Sequence, residues 1–408
     1  ESFGNISIKK RRHVLFVFAV FLQASAQKLI MDYSISEKHF VDTIKIKMWK
    51  GAIIIPVEID GETKNMMFDT GANMGFWIGT EEAWMVPSGN STNTVDSQNQ
   101  KKKSSIMTIP SMKMGNITIK DYPIVVSDGL SDFTCGIIDG AIGFDLAVKG
   151  ISFKFDTQDS LMIVTDRKGF FNKEERGHQK VKYKHYSKID PKVWVQFPFI
   201  RAKMDFDSGY IGGWFCFPQQ TLDIWAKQDP KIKQQLDAMT VNRDTTFMTA
   251  AGLFGYSNET IVGGEIVVPE ITIGDLVFKN VCVKTTSPKR LIGSAVLEHT
   301  SLIIDSPKKS FVFLPHDGNH EITVNNKDKI TGMNFKPAAD DDTLGAVKIV
   351  VRKGTEAYKK GLRTGDYLIS VDGNPISCLC DYVLKKHQGK TEHFVFRSPE
   401  GEIKEADF

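Results

Sequence analysis

The stretch Met66-Met-Phe-Asp69-Thr-Gly-Ala-Asn73 places a single carboxylate directly after an apolar run. A β-branched segment at residues 52–59 precedes it, followed by the dipeptide Asp60-Gly61, which favours a tight hairpin turn. Residues 64–68 are therefore predicted to form the returning strand of a hairpin. Asp69 then lies on the loop that ends this strand, where a turn of Thr and Gly follows it.

The same pattern occurs a second time in the chain. Four blocks recur in the same order: residues 69–77 with 207–215, 109–122 with 268–281, 141–143 with 291–293, and 151–157 with 301–306. Recurrence in a fixed order is the mark of an internal repeat. The sequence thus predicts a mainly β protein that contains two copies of one β-rich lobe, each with its own Asp-[Ser/Thr]-Gly.

Two similar lobes that face each other would bring Asp69 and Asp207 side by side. Two carboxylates at close range cannot both ionise cheaply, so the pair would share one proton. The ionised partner can then deprotonate a water while the protonated partner polarises a carbonyl group, which is general acid–base hydrolysis. The neighbours expected to join the two loops and support the acids are Thr70, Gly71, Ser208 and Gly209.

The pattern of two hydrophobic residues before Asp-[Ser/Thr]-Gly, with hydrophobic-hydrophobic-Gly later in each copy, resembles the aspartic peptidases of the pepsin and retropepsin type. The resemblance covers about residues 45–316 and implies two β-barrel lobes with a peptide cleft between them. It also implies that Gly143 and Gly293, each with the hydrophobic residues before it, buttress the two catalytic loops. Ala72, directly after the first Asp-Thr-Gly, is the residue type found at this position in the retropepsin branch, whereas pepsins usually carry Ser or Thr there.

The second copy departs from the family pattern. Tyr210 stands where a small residue is usual, so we expect tight packing beside the acids. Asp205 replaces an expected apolar residue, and no Asp-Gly turn occurs within residues 193–206. Two interpretations therefore stay open: an active endopeptidase, or a peptide-binding protein whose second lobe has lost its chemistry.

The resemblance implies one or two flap hairpins over the cleft, for which the candidate segments are residues 93–107 and 250–264. Ala72 lacks a hydroxyl that could donate to Asp69, so one stabiliser of the ionised carboxylate is missing. We therefore expect a dyad with a higher pKa than in pepsin-like sites, and activity that peaks in mildly acidic to neutral solution.

The C-terminal part has a different pattern. Residues 354–366 read Gly-Thr-Glu-Ala-Tyr-Lys-Lys-Gly-Leu-Arg-Thr-Gly-Asp, and Val371-Asp-Gly-Asn374 follows. This series resembles a PDZ domain of the bacterial type, which binds extended peptides by adding a strand to a sheet edge. The resemblance implies a loop for the peptide's terminal carboxylate at Gly332, Met333, Asn334 and Phe335, although a plain strand start is the alternative. Such a domain would capture substrate or gate the cleft.

The amino-acid composition narrows the functional classes to which the protein could belong. The chain has 408 residues with 25% charged and 41% hydrophobic side chains, which are ordinary globular values. A net charge of +3 gives no support for nucleic-acid binding. The nine His and five Cys residues form no familiar metal-ligand or disulfide spacing, so we expect no metal, no cofactor and mostly buried thiols.

The N-terminal residues 1–26 combine a basic run, a short apolar run and an Ala-Ser-Ala ending, which is typical of a secretory signal peptide. The predicted organisation is a signal peptide at 1–26, an N-terminal segment at 27–44, lobes at 45–168 and 169–316, and a PDZ-like domain at 317–408. We expect a periplasmic or extracellular monomer without stable membrane insertion, acting on a protein or peptide substrate.

Overall fold

The structure, a computed structural model, describes residues 32–184, 190–247, 250–257, 259–325, 332–339, 341–385 and 391–408. The predicted signal peptide lies outside these residues. The mainly β fold class is confirmed, with 51% of the chain in strands and 13% in helices. Within the described part of the chain, no helix combines the length and the apolar character that crossing a membrane requires.

Residues 32–148 form a barrel, called here the N-terminal barrel. The elements of this part of the chain, of which β2 belongs to a separate sheet, are β1 (Ser34–Ile35), β2 (Val41–Lys45), β3 (Lys47–Trp49), β4 (Ala52–Ile59), β5 (Glu62–Asp69), β6 (Gly75–Ile78), β7 (Val86–Val95), β8 (Lys101–Met114), β9 (Ile117–Ser127), β10 (Gly140–Gly143), α1 (Ser131–Thr134) and α2 (Asp145–Val148). Strands pair in the order β9-β6-β10-β5-β4-β8, and β8 pairs back with β9 to close a ring of six.

A second closed ring, the central barrel, follows. The elements from residue 152 onward are β11 (Ser152–Asp156), β12 (Leu161–Thr165), β13 (Val181–Lys182), β14 (Lys192–Gln196), β15 (Arg201–Phe206), β16 (Phe215–Pro218), α3 (Gln219–Gln228), α4 (Pro230–Met239), β17 (Thr240–Phe247), β18 (Ala251–Gly252), β19 (Gly255–Tyr256), β20 (Thr260–Ile273), β21 (Leu276–Lys284), β22 (Thr286–Ile292), β23 (Thr300–Asp305), β24 (Ser310–Pro315) and β25 (Glu321–Thr323), with 3₁₀ turns at Phe170–Asn172 and Ser294–Glu298. The ring order is β21-β16-β22-β15-β14-β20. Strand for strand, this is the order of the N-terminal barrel.

A six-stranded sheet joins the two barrels. Its strands lie in the order β13-β24-β23-β11-β12-β2, with Phe153 of β11 opposite Ile304 of β23. Above this sheet the aromatic rings of Phe68 and Phe153 lie 4.9 Å apart, and those of Phe206 and Phe311 lie 5.2 Å apart. All four of these phenylalanines are buried in one continuous core. Because the core continues from one barrel to the other, the strand ends that carry the two acids are held on one rigid base.

Two features of the central barrel differ from expectation. The β14–β15 hairpin forms without an Asp-Gly dipeptide, because Phe197 donates its backbone N–H to the Ile200 carbonyl at 2.8 Å and turns the chain. Helices α3 and α4 were not predicted from the sequence. Helix α4 begins at Pro230, and the side chain of Asp229 caps it by accepting from the Lys231 N–H at 2.8 Å.

The C-terminal residues form a separate sheet with its own core. Its elements are β26 (Met333–Pro337), β27 (Val347–Val351), α5 (Glu356–Lys359), β28 (Tyr367–Val371), β29 (Asn374–Pro375), α6 (Leu379–Val383), β30 (His393–Arg397) and β31 (Ile403–Asp407). The strand order is β26-β27-β28-β30-β31, with β29 beside β28. Buried Val347, Ile349, Leu368 and Phe396 fill one side of this C-terminal sheet.

The expectation of unpaired, buried thiols was wrong in part. Cys135, at the end of α1, forms a disulfide with Cys380 of α6, across a sequence separation of 245 residues. Cys216 and Cys282 are buried as expected, whereas Cys378 is exposed. Sequence spacing could not reveal the pair, since only the packing of the C-terminal sheet against the N-terminal barrel brings the two side chains together.

A buried ion pair also joins the C-terminal sheet to the central barrel. Arg352, which follows β27, binds Glu265 of β20, and their side chains are 4% and 1% exposed. Asn242 donates a further hydrogen bond to Glu265 at 2.8 Å. A charge that is buried at this depth is tolerable only while its partner is present.

We expect Arg352→Met to lower the free energy of unfolding by about 3–5 kcal/mol, because Glu265 stays buried without its cation. The double variant Arg352→Met/Glu265→Leu should recover most of this loss. As a control, Lys233→Met breaks an exposed pair with Asp237 and should cost less than about 0.5 kcal/mol. Urea unfolding measures all three, and equal losses for Arg352→Met and Lys233→Met would contradict the assignment.

Candidate active site

Each of the two acids lies at the end of a strand that is flanked by a parallel neighbour. In the N-terminal barrel β5 runs parallel to β10, which places Gly143 opposite Asp69. In the central barrel β15 runs parallel to β22, and Asp207 donates its N–H to the Ile292 carbonyl at 2.9 Å. Asp69 and Asp207 therefore occupy the same position in two barrels of the same strand order.

The two acid-bearing loops are joined by a reciprocal set of hydrogen bonds. The backbone N–H of Thr70 donates to Ser208 Oγ at 3.0 Å, and the N–H of Ser208 donates to Thr70 Oγ1 at 2.9 Å. Each hydroxyl then donates across to a carbonyl, Thr70 to Phe206 and Ser208 to Phe68, both at 2.6 Å. Both side chains are fully buried, so the geometry of the two loops is fixed without help from solvent.

These hydrogen bonds bring the two carboxyl groups together. A Cβ atom on Gly71 would lie 2.5 Å from Asp207 Cγ, and one on Gly209 would lie 2.6 Å from Asp69 Cγ. Each acid is thus packed against the glycine of the opposite loop, where no other residue fits. The Asp207 carboxyl is a hydrogen-bond partner of Asp69, which also accepts from the Gly71 N–H at 2.8 Å.

Burial dominates the electrostatics of this pair. Removal from water raises the pKa of Asp69 to about 6, against an opposing effect of the Gly71 N–H. The pKa of Asp207 is raised well above its usual value, first by burial and then by repulsion from Asp69. Burial and mutual repulsion thus both favour the neutral carboxyl, so the two acids are arranged to share one proton between them.

The sequence did not identify a second buried acid that supports the first loop. Tyr122 donates its hydroxyl to Asp145 at 3.0 Å and accepts from the N–H of Gly143 at 3.0 Å. A Cβ on Gly143 would lie 2.6 Å from Asp145 Oδ1, so only glycine fits there. The next N–H, of Phe144, donates to the Ala72 carbonyl at 2.9 Å and holds the loop. Burial raises the pKa of Asp145 to about 7.

The second loop is supported differently, by the side chain of Tyr210. The Tyr210 ring packs on Gly213 and Gly293, where an added Cβ would lie 2.2 Å and 2.6 Å from the ring. Its N–H donates to Asp207 Oδ1 at 3.1 Å. Asp205 points elsewhere, into an ion pair with Lys192 on the neighbouring strand.

The two predicted flap segments both form hairpins, and their tips meet. Residues 93–107 span the β7–β8 turn, and residues 251–256 form the tip of the hairpin between β17 and β20. Asp96 accepts from the Phe254 N–H at 3.3 Å, and Gln100 donates to the Gly255 carbonyl at 3.0 Å. Leu253 packs against an apolar cluster of the N-terminal barrel that includes Met74, which follows the first acidic loop.

The residues predicted as a carboxylate-binding loop lie at an interface. Gly332 has a positive φ of 72° and precedes β26, which begins at Met333. Met333 and Asn334 line a cavity of about 230 Å³ that also borders residues 210–215 of the second acidic loop. Phe335 packs on Tyr382, with ring centroids 4.3 Å apart. The cavity thus connects the C-terminal sheet with the back of the Asp207 loop.

Comparison with known proteins adds one result for the first barrel. Residues 55–146 match the family model described as aspartyl protease. The matched segment runs from β4 into α2 and contains Asp69 and Gly143. This supports a protease-like function of the hydrolase class for the chain. No curated protein matches the chain.

The hydrogen bonds between the loops give a direct test. Thr70→Val keeps the shape of the side chain but leaves the Ser208 N–H and the Phe206 carbonyl buried without a partner. We expect a loss of about 2–5 kcal/mol in the free energy of unfolding. Thr70→Ser keeps the hydroxyl and should cost about 1 kcal/mol for the missing methyl group. Urea unfolding of the two variants separates the cases; equal losses would exclude a major role for the hydroxyl.

Proposed function

We propose that this protein is an exported aspartic endopeptidase in which Asp69 and Asp207 share one proton and activate one water. The observation that carries the proposal is the placement of two buried carboxyls on hydrogen-bonded, equivalent loops, with burial raising the pKa of both. Perturbed titratable groups that converge in a cleft mark functional sites.

In the proposed mechanism, ionised Asp69 accepts a proton from the water as the oxygen attacks the peptide carbonyl. Asp207 donates its hydrogen to the carbonyl oxygen, which becomes a hydroxyl of the tetrahedral intermediate. Asp69 then passes the proton that it took from water to the amide nitrogen, and Asp207 takes back the hydroxyl proton as the carbonyl forms again and the C–N bond breaks. This step releases the two peptide fragments and restores the starting protonation of the pair. The rigid hydrogen bonds of Thr70 and Ser208 keep both carboxyls in place during these steps.

The alternative is a peptide-binding protein without catalysis. It depends on a second loop distorted by Tyr210 and Asp205. Since the Tyr210 ring packs on Gly213 and Gly293 and Asp205 pairs with Lys192, neither side chain obstructs the acids. These contacts favour the enzyme over the binding protein.

Export is part of the proposal, and the Cys135–Cys380 disulfide supports it. Such bonds form and persist in oxidising compartments, in agreement with a signal peptide at residues 1–26. We further propose that residues 317–408 act as a PDZ-like domain, and that the protein works as a monomer on extended protein or peptide chains.

Of the two roles considered for the PDZ-like domain, its contacts favour gating of the cleft over capture alone. Tyr256, at the hairpin tip, packs against the core of the C-terminal sheet, while the carbonyl of Leu253 in the same tip accepts a hydrogen bond from Ser127 Oγ of the N-terminal barrel at 2.7 Å. Cys135 follows this contact by eight residues and carries the disulfide to Cys380. Displacing the tip to admit a substrate therefore strains the attachment of the C-terminal sheet.

Cleavage of unfolded casein by residues 27–408 tests the catalytic proposal. Activity requires Asp69 ionised and Asp207 protonated, so the rate should fall as pH drops through about 6, where Asp69 gains its proton. Asp69→Asn and Asp207→Asn should each lower kcat by at least about 10³-fold. A rate maximum in strongly acidic solution would contradict the protonation assignment.

Two controls make a loss of cleavage interpretable. Asp205→Asn, two residues from the proposed catalytic acid, should leave cleavage within a factor of about two. At pH 7 both dyad variants should unfold at no lower temperature than the wild type. Their carboxyls have raised pKa values in the folded state and so destabilise it above the pKa of the unfolded chain. Folded but fully active dyad variants would refute the mechanism.

Gating is tested with Cys135→Ser/Cys380→Ser. Freed of the disulfide, the C-terminal sheet should let the hairpin tip open more often, and kcat/KM on a peptide substrate should rise several-fold. A dithiol reductant should raise the activity of the wild type and leave that of the variant unchanged, with Cys378→Ser as the matched control. Unchanged activity together with a lower unfolding temperature would assign the disulfide a structural role only.

A further inference from the structure

A group of three potential metal ligands lies away from the two acids. His178, Asp275 and His320 each offer one ligand atom, and these atoms all lie within 4.8 Å of one another. They come from three separate segments: the stretch before β13, the turn between β20 and β21, and the residue before β25. None of them belongs to the acidic loops or to the hairpins above them.

The backbone fixes the approach of these segments. Gln179 donates its N–H to Asp275 Oδ2 at 3.2 Å, which orients the carboxylate. Val277 donates to the carbonyl of His320 at 2.8 Å, and β21 runs parallel to β25. A Cβ on Gly274 would lie 2.7 Å from Val181, so this turn packs directly on β13. The three ligands are therefore held by main-chain contacts rather than by one another.

In the described part of the chain, one ring nitrogen of each histidine is buried without a hydrogen bond. His320 Nδ1 lies 3.2 Å from Asp275 Oδ2, close enough for an ion pair when the imidazole is protonated, but among the described residues this nitrogen makes no hydrogen bond. His178 Nδ1 is likewise buried and without a hydrogen bond in the described part of the chain. The two rings stack with centroids 5.9 Å apart and planes at 23°. Ligand atoms that lie close together without hydrogen bonds between them have the arrangement expected around a shared metal ion.

The ligand types and the one close separation, between His320 and Asp275, fit zinc. With Zn–N and Zn–O bonds of about 2.1 Å, two ligands of a tetrahedral site lie roughly 3.4 Å apart, close to the separation of His320 Nδ1 and Asp275 Oδ2. A set of two imidazoles and one carboxylate suits zinc better than it suits calcium or magnesium, which favour oxygen ligands alone. Partial exposure of His320 and Asp275, at 37% and 29%, leaves a path for the ion and a fourth position for water.

We propose that His178, Asp275 and His320 bind one Zn²⁺. The ion would link the stretch before β13, which contains His178, to the β20–β21 turn of the central barrel and to β25. Because β25 precedes the C-terminal sheet, the ion would hold the start of the connection to that sheet. Metal binding to the folded chain alone stabilises it, in proportion to the logarithm of the free zinc concentration.

The test uses the full chain after dialysis against a chelator, with Zn²⁺ and Co²⁺ as probes. We expect one zinc per chain, a rise of roughly 5 °C in the unfolding temperature, and the visible absorption of four-coordinate Co²⁺. His178→Gln, His320→Gln and Asp275→Asn should each weaken zinc binding at least tenfold. Loss of a residue that only supports a metal ligand already weakens binding by about this factor, so loss of a ligand should do no less.

A matched control is His393→Gln, since this exposed imidazole also lies beside carboxylates, those of Glu405 and Asp407, but forms no metal-ligand cluster with a second histidine among the described residues. It should bind zinc as the wild type does. His178→Cys keeps a ligand and should add a thiolate-to-cobalt charge-transfer band that the wild type, whose other free cysteines lie outside the site, does not show. The proposal is overturned if the wild type takes up no zinc, or if uptake is the same in His178→Gln and His320→Gln as in the wild type.

Discussion

The reciprocal hydrogen bonds of Thr70 and Ser208 hold together two loops whose residues are 138 positions apart in the chain. Each hydroxyl accepts from the opposite backbone N–H and donates to a carbonyl beyond it, so four buried polar groups are satisfied at once. The separation of the two acids, the packing of each against the opposite glycine, and the shared proton all depend on this arrangement.

Holding two carboxyls in such a place is costly, because burial favours their neutral forms and each opposes the charge of the other. The cost is offset by the core that runs through both barrels and by backbone N–H groups directed at the acids. The same principle explains the fully buried Asp145, where Tyr122 supplies the hydrogen bond and links the acid to the Gly143 N–H. Rigid packing is what allows this protein to keep acids with raised pKa values.

Much of the fold and the pairing of the two acids could be predicted from patterns in the sequence. β-Branched runs and turn residues indicated a mainly β chain, and the repeated Asp-[Ser/Thr]-Gly indicated which acids meet, because similar segments fold alike. Side-chain direction was not predictable: Tyr210 turns onto Gly213 and Gly293 because both lack a Cβ, a relation between positions that a linear pattern does not contain. Helices α3 and α4 were missed for lack of a strong periodic signal.

The sequence by itself determined the strand-rich class, the two equivalent acids and the residues that join their loops, since these follow from local propensity and from the repeat. Only the tertiary structure decided which distant groups meet. These are Cys135 with Cys380, Arg352 with Glu265, and the three residues His178, Asp275 and His320. The hairpin tip at residues 251–256 likewise meets the N-terminal barrel and the C-terminal sheet only in the folded chain. The physical reason is that such contacts arise where separate elements pack, and their partners have no fixed spacing along the chain.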